Sequence, residues 1–144
     1  MKINPYLMFN GDCEAAFKFY EQCLGGKITM MMPHKEAPSA DQVPTEWHDK
    51  IMHACLELNV GGASPGETRL LMGSDSPPDY FEAPQGFYVQ ISVDEPAEAE
   101  RLFQALAANG KVKMPIAQTF WSVRFGMLVD QFGTSWMINC AQAT

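Results

Sequence analysis

The sequence predicts an α+β fold in which two tandem βαβββ units form a curled mixed sheet with a central cleft. The first observation is a repeat: EAAFKFYEQCLGGKITM (14–30) returns 84 residues later as EAERLFQALAANGKVKM (98–114), with six of the seventeen positions identical. The second is that each copy carries apolar residues at helical spacing and closes on glycine. The third is that a short alternating stretch precedes each copy and further extended stretches follow it, so that one supersecondary unit is written twice.

The elements follow in order. NPYLMFNG reads as a strand, with Pro5, Leu7 and Phe9 on one face and Asn4, Tyr6 and Met8 on the other. A helix opens at Asp12, a suitable N-cap, and stops at Gly25-Gly26, with Ala15, Ala16, Phe19 and Cys23 as its expected buried stripe. KITMMM and DKIMHACLELNV continue as strands, and a Gly-rich turn, GGASPGE, leads to TRLLMGSD. In the second copy GFYVQISVD alternates Phe87, Val89, Ile91 and Val93 against Tyr88, Gln90 and Ser92. Pro96 marks the next helix start and Asn109-Gly110 its end, with Ala99, Leu102, Phe103 and Leu106 as the apolar stripe. KVKMPI, WSVRFGMLVD and SWMINCA supply the last strands.

The chain is one domain, with unit one at about residues 2–75 and unit two at about 86–141, joined by the Pro-rich SDSPPDYFEAPQG (74–86). A second long segment, PHKEAPSADQVPTEWHD (33–49), has the length of a functional or mobile connection. His34 and His48 within it read as exposed loop residues. Gly26-Lys27 and Gly110-Lys111 read as helix ends in which glycine supplies a left-handed conformation, with no chemistry attached.

Ten basic against seventeen acidic residues give a net charge of -7, which argues against nucleic acid as a partner. No apolar run approaches the ~20 residues of a membrane-spanning helix. MKINPYLMF lacks the apolar region of a signal peptide, so the expected location is the cytoplasm. Cys13, Cys23, Cys55 and Cys140 form no C-x-x-C pair and sit in apolar periodic segments, as buried reduced thiols do.

One helix per four-stranded sheet covers one face, so the alternation assigns the apolar rows to the helices. The mixed rows Tyr6/Met8, His53/Cys55/Glu57 and Tyr88/Gln90/Ser92 would then face the cleft. His53 is the candidate catalytic residue, a base or hydrogen-bond donor oriented by Glu57 about 7 Å along the same strand face. Tyr6, Tyr88, Gln90 and Trp121 are candidate ligand-binding residues. Arg124 joins them as a partner for an anionic group, provided the face it shares with Ser122 and Gly126 lines the cleft. His48, His53 and Glu57 are enough donors for a metal, but H-x-x-x-x-H across a loop and a strand matches no standard ligand spacing, and no metal or other cofactor is predicted.

The tandem units, together with INPYLMFNGDCEAAFKFYEQCLGG, KIMHACLEL, LLMGSDSPP and VDQFGTSWMIN, resemble the PhnB-like branch of the vicinal-oxygen-chelate superfamily, which includes glyoxalase I, bleomycin-resistance proteins and extradiol dioxygenases. The resemblance implies paired βαβββ units and a homodimer. It also implies a divalent metal held by His, Gln or Glu from the first and last strands of each unit. Those places fall near Asn4, at Leu70 to Met72, at Tyr88 and near Met137, none of them a good ligand. The resemblance therefore implies a small organic molecule bound without the usual metal. A metal-dependent lyase, isomerase or dioxygenase is the enzymatic alternative, and a structural dimer with a self-filled cleft is the third. The label demethylubiquinone methyltransferase, used in this branch, has no support, because a Rossmann-type unit needs alternating parallel strands and helices with a Gly-rich loop.

Overall fold

The computed structural model describes residues 1–58 and 69–141. The Gly-rich turn expected at 61–67 lies outside the described residues. The chain divides into two units, Met1–Glu82 and Ala83–Thr144.

In unit one, β1 (Tyr6–Phe9), α1 (Cys13–Leu24), β2 (Lys27–Pro33), β3 (Ile51–Leu58) and β4 (Arg69–Asp75) build a mixed sheet in the order β1-β4-β3-β2. β1 runs parallel to β4, and the other pairs are antiparallel. In unit two, β5 (Val89–Val93), α2 (Pro96–Ala107), β6 (Lys111–Ala117), β7 (Ser122–Val129) and β8 (Ser135–Ala141) repeat the plan in the order β5-β8-β7-β6. The βαβββ order is the one the periodicity predicts. The strands pair within each unit, giving two four-stranded sheets.

Each helix covers one face of its own sheet. Under α1, Phe9, Phe17 and Tyr20 form an aromatic cluster with ring centroids 5.8 to 6.5 Å apart. Burying such side chains contributes about 1.5–3 kcal/mol each. The buried stripe of α1 is Cys13, Ala16, Phe17, Tyr20 and Cys23, so Ala15 is exposed and Phe19 only half-buried, contrary to expectation. In α2 the stripe is Ala99, Leu102, Phe103 and Leu106, as expected.

The reason for this difference is a one-residue slip inside the repeat. Tyr6 and Gln90 hold equivalent strand positions 84 apart, as do Lys27 and Lys111, but the helices Cys13–Leu24 and Pro96–Ala107 are 83 apart. Unit two has one residue fewer before its helix and one more after it. The identities Ala15/Ala99 and Phe19/Phe103 therefore match letters that point in different directions, because one helical residue is a rotation of about 100°.

The repeated Gly26 and Gly110 also have a different cause from the one expected. The left-handed positions at the two helix ends are Gly25 (φ 74) and Asn109 (φ 58). A Cβ on Gly26 would instead collide with the carbonyl oxygen of Glu57, and one on Gly110 with that of Val129. Both glycines allow the chain leaving the helix to pass close against a strand backbone.

The segment at 33–49 is three short 3-10 turns, His34–Glu36, Ala40–Gln42 and Thr45–Trp47. His34 is buried, not exposed, and its Nε2 lies 3.2 Å from the backbone oxygen of Asp75. His48 is half-buried, with Nε2 3.2 Å from the carbonyl oxygen of Val43. Ser74 and Asp75, read as the start of the linker, belong to β4 and are buried. Asp75 ties unit one together: Oδ1 accepts from the backbone N–H groups of Gly11 (2.9 Å) and Cys13 (3.0 Å), and Oδ2 from that of Ile51 (2.9 Å). The start of α1 is thus capped from the end of β4, while Asp12 makes no side-chain cap bond.

Candidate functional site

The two faces of sheet one are told apart by Gly73, where a Cβ would strike the Phe17 ring of α1. Gly73 pairs with Leu7 and Ala54, so those residues lie beneath the helix. Strand alternation then places Tyr6, Met72, Cys55 and Met30 on the helix-free face. These four are consecutive partners across the sheet: Tyr6 opposite Met72, Met72 opposite Cys55, and Cys55 opposite Met30. Met8 opposite Ser74 and His53 opposite Met32 occupy the same face.

On that face the phenol oxygen of Tyr6 lies 3.1 Å from Nδ1 of His53, and the two rings stack with centroids 5.7 Å apart at 26°. When the phenol donates, Nδ1 accepts and the imidazole proton sits on Nε2. Among the described residues the hydrogen-bond partner of His53 is Tyr6, not Glu57. Glu57 is exposed on the same face, opposite Lys27. Tyr6 itself is 43% exposed.

Unit two has a helix-free face of its own. Gln90, Met137, Met127 and Met114 are consecutive partners across its sheet, and Gln90 Nε2 donates to Ser92 Oγ at 3.3 Å. Ser92 pairs with Asn139, which pairs with Phe125, and Ser122 Oγ donates to Asn139 Oδ1. Trp121, 47% exposed, packs edge-on against Phe125 with ring centroids 5.4 Å apart. Tyr88 is half-buried just before β5.

Arg124 belongs to the other face. It pairs with the buried Cys140, and a Cβ on Gly126, two residues along, would strike Phe103 of α2. Its Nε donates to Glu100 Oε1 of α2 at 3.0 Å, and Nη1 donates to the carbonyl oxygen of Val123. A register shift between Ser122 and Arg124 puts these two on opposite faces, which period-two counting could not anticipate. Phe87, expected beneath α2, is 51% exposed and precedes β5.

The family model for the glyoxalase/bleomycin resistance protein/dioxygenase superfamily matches residues 2–138. The chain belongs to this superfamily. Protein YjdN of Escherichia coli (strain K12) is 33% identical over 147 residues, covering 96% of this chain and 95% of that protein. Protein PA1353 from Pseudomonas aeruginosa is similar in structure, with a TM-score of 0.84 and 46% identity over 99% of each chain. The PhnB protein from Bacillus cereus gives a TM-score of 0.73 at 26% identity, over 98% of this chain and 100% of that one.

Within the superfamily the first and last strands of each unit are the places for metal ligands. Here those strands present Tyr6, Met72, Gln90 and Met137 on the helix-free faces. One phenol, one amide and two thioethers are a poor set for a hard divalent ion, which prefers several carboxylate, carbonyl and water oxygens. Among the described residues no three His, Cys, Asp or Glu side chains gather in a way that could hold a metal. The residues present do not fit the hard divalent centre.

Sequence reasoning missed Asp75, because an Asp beside Ser-Pro-Pro reads as turn chemistry. The available signal was its position at the end of the apolar run LLMGSD. It also missed the pairing of methionines across strands, which depends on register.

Proposed function

We propose that this superfamily member binds a small organic molecule on the helix-free face of sheet one, with Tyr6 and His53 as the polar anchor. The observation that carries the reading is the Tyr6–His53 pair set among thioethers: Met8, Met30, Met32 and Met72 share its face. Methionine side chains adapt to ligand shape and make favourable contacts with aromatic rings. Tyr6 holds His53 so that Nε2–H is offered to an acceptor oxygen, a donor role that needs no metal. The ligand class is a planar, largely apolar molecule carrying a carbonyl or phenolic oxygen. The family relationship supports small-molecule binding, as do the adaptable thioethers of this face and the Tyr6–His53 pair set among them.

We further propose that the chain acts as a cytoplasmic homodimer. Phe120 is 90% exposed and Tyr80 79% exposed, apolar surface of the kind that self-association covers. All four cysteines are buried thiols, which suits a reducing compartment.

The test is a thermal-shift and calorimetry screen of aromatic ketones, quinones and phenols in metal-free buffer. The expected hit loses affinity in His53→Ala and in Tyr6→Phe but binds Arg124→Ala unchanged, since that guanidinium serves α2. Hits that bind both face variants as tightly as the wild type would reject the site. Light scattering at micromolar protein tests the dimer, with Phe120→Asp expected to weaken it.

A further inference from the structure

We infer that the Met72–Cys55–Met30 row on the helix-free face of sheet one is a binding site for a soft monovalent metal ion, Cu(I) or Ag(I). Seven of the ten methionines lie on helix-free faces: Met8, Met30, Met32 and Met72 in unit one, and Met114, Met127 and Met137 in unit two. Their arrangement is more specific than a coating. At one level of sheet one, three adjacent strands present sulfur in direct register: Met72 on β4, Cys55 on β3 and Met30 on β2. Residues directly opposite on neighbouring strands have Cβ atoms roughly 4.5–5.5 Å apart, so flexible thioethers on both sides can close on a central thiol.

Unit two places Met137, Met127 and Met114 at the equivalent level, with Cys55 replaced by Met127. All six positions carry sulfur, so the row is part of the repeated plan of the sheet rather than one chance contact. The presence of Cys55 distinguishes unit one, because a thiolate binds a soft cation far more strongly than a thioether. His53 lies two residues from Cys55 on the same face and opposite Met32, but with its Nδ1 engaged by Tyr6 and its proton on Nε2 it leaves the ion to the three sulfurs.

Thiolate and thioether donors select Cu(I) over hard divalent ions. The same substitution of sulfur for oxygen and nitrogen that unsuits the sheet for a hard divalent centre suits it for a soft one. On binding, the Cys55 thiol proton leaves to solvent and the Cu(I)–sulfur bond forms, with no change of oxidation state. This site goes beyond the organic-ligand reading and does not depend on it, since that reading is tested in metal-free buffer.

The experiment is an anaerobic titration of the intact protein with Cu(I) against a chromophoric Cu(I) chelator, repeated with Mn(II) and Zn(II). One tight equivalent of Cu(I) is expected, with binding lost in Cys55→Ser. In Met30→Leu and Met72→Leu the affinity should fall by about tenfold or more, as when supporting groups of a metal site are removed. Met30 is 46% exposed, so Met30→Leu retains the fold and keeps the test valid if Cys55→Ser unfolds, which circular dichroism reports. Complete loss of copper to the chelator, unchanged affinity in Met30→Leu and Met72→Leu, or tighter binding of Zn(II) or Mn(II) would each overturn the assignment.

Discussion

The phenol of Tyr6 on β1 and the imidazole of His53 on β3 meet across the intervening strand β4, 3.1 Å apart from oxygen to Nδ1, with their rings stacked. The contact spans 47 residues of sequence, so it exists only once the sheet has formed. It gives a half-exposed histidine a defined ring orientation.

Tyr6→Phe keeps the stacked ring and removes the hydrogen bond. Binding of a ligand found in the screen should weaken by about fivefold, the effect of one such bond at about 1 kcal/mol, with the melting temperature little changed. Nitrogen NMR of the imidazole should show the Nε2–H tautomer in the wild type and a mixture in the variant. An unaltered tautomer would show that Tyr6 does not set the ring.

Asp75→Asn should be the most damaging near-isosteric change in unit one. It removes the charge from a buried group that satisfies three backbone N–H donors from the start of α1 and the start of β3. Leaving one donor facing an amide should cost about 2–3 kcal/mol in urea unfolding. A loss within about 0.5 kcal/mol, as for a surface site, would contradict the hub role.

Two adjacent glycines should fail for different reasons. Gly26→Ala forces a Cβ onto the Glu57 carbonyl and should cost about 1–3 kcal/mol through displaced strand backbone. Gly25→Ala meets open space at φ 74 and should cost about 1–2 kcal/mol from the left-handed conformation alone. Gly25→Asn should recover much of that loss, since Asn109 fills the same role in unit two. Gly26→Asn should recover nothing. Urea midpoints for the four variants separate the two causes.

The Cys13 thiol is pushed far above its ordinary value of 9.0, first by burial and then by the carboxylates of Asp75, Asp12 and Glu14. In the folded chain it keeps its proton where the unfolded chain has lost it, so above about pH 9 the unfolded state binds fewer protons. The thiol's contribution is therefore fully present below about pH 9 and declines as the pH rises beyond it. The urea midpoint should fall more steeply between about pH 9 and about pH 10.5 in the wild type than in Cys13→Ala. Parallel profiles would show that the thiol ionises freely in the folded state.

The order of elements, the duplication and the α2 stripe are legible in residue spacing alone. Periodicity, caps and turn residues act over a few neighbours and can be read along the chain. His53 and Tyr6 were legible as members of mixed rows for the same reason. What those rows touch depends on how the strands come together. The one-residue slip that turned Ala15 outward, the register shift that set Arg124 against Glu100, and the recruitment of Asp75 to cap a helix 62 residues earlier all depend on how elements distant along the chain meet. Pairing depends on which backbone donors and acceptors remain unsatisfied once the core has closed, and a shift of one residue exchanges the two faces of a strand. The alignment of Met72, Cys55 and Met30 is a consequence of that same register.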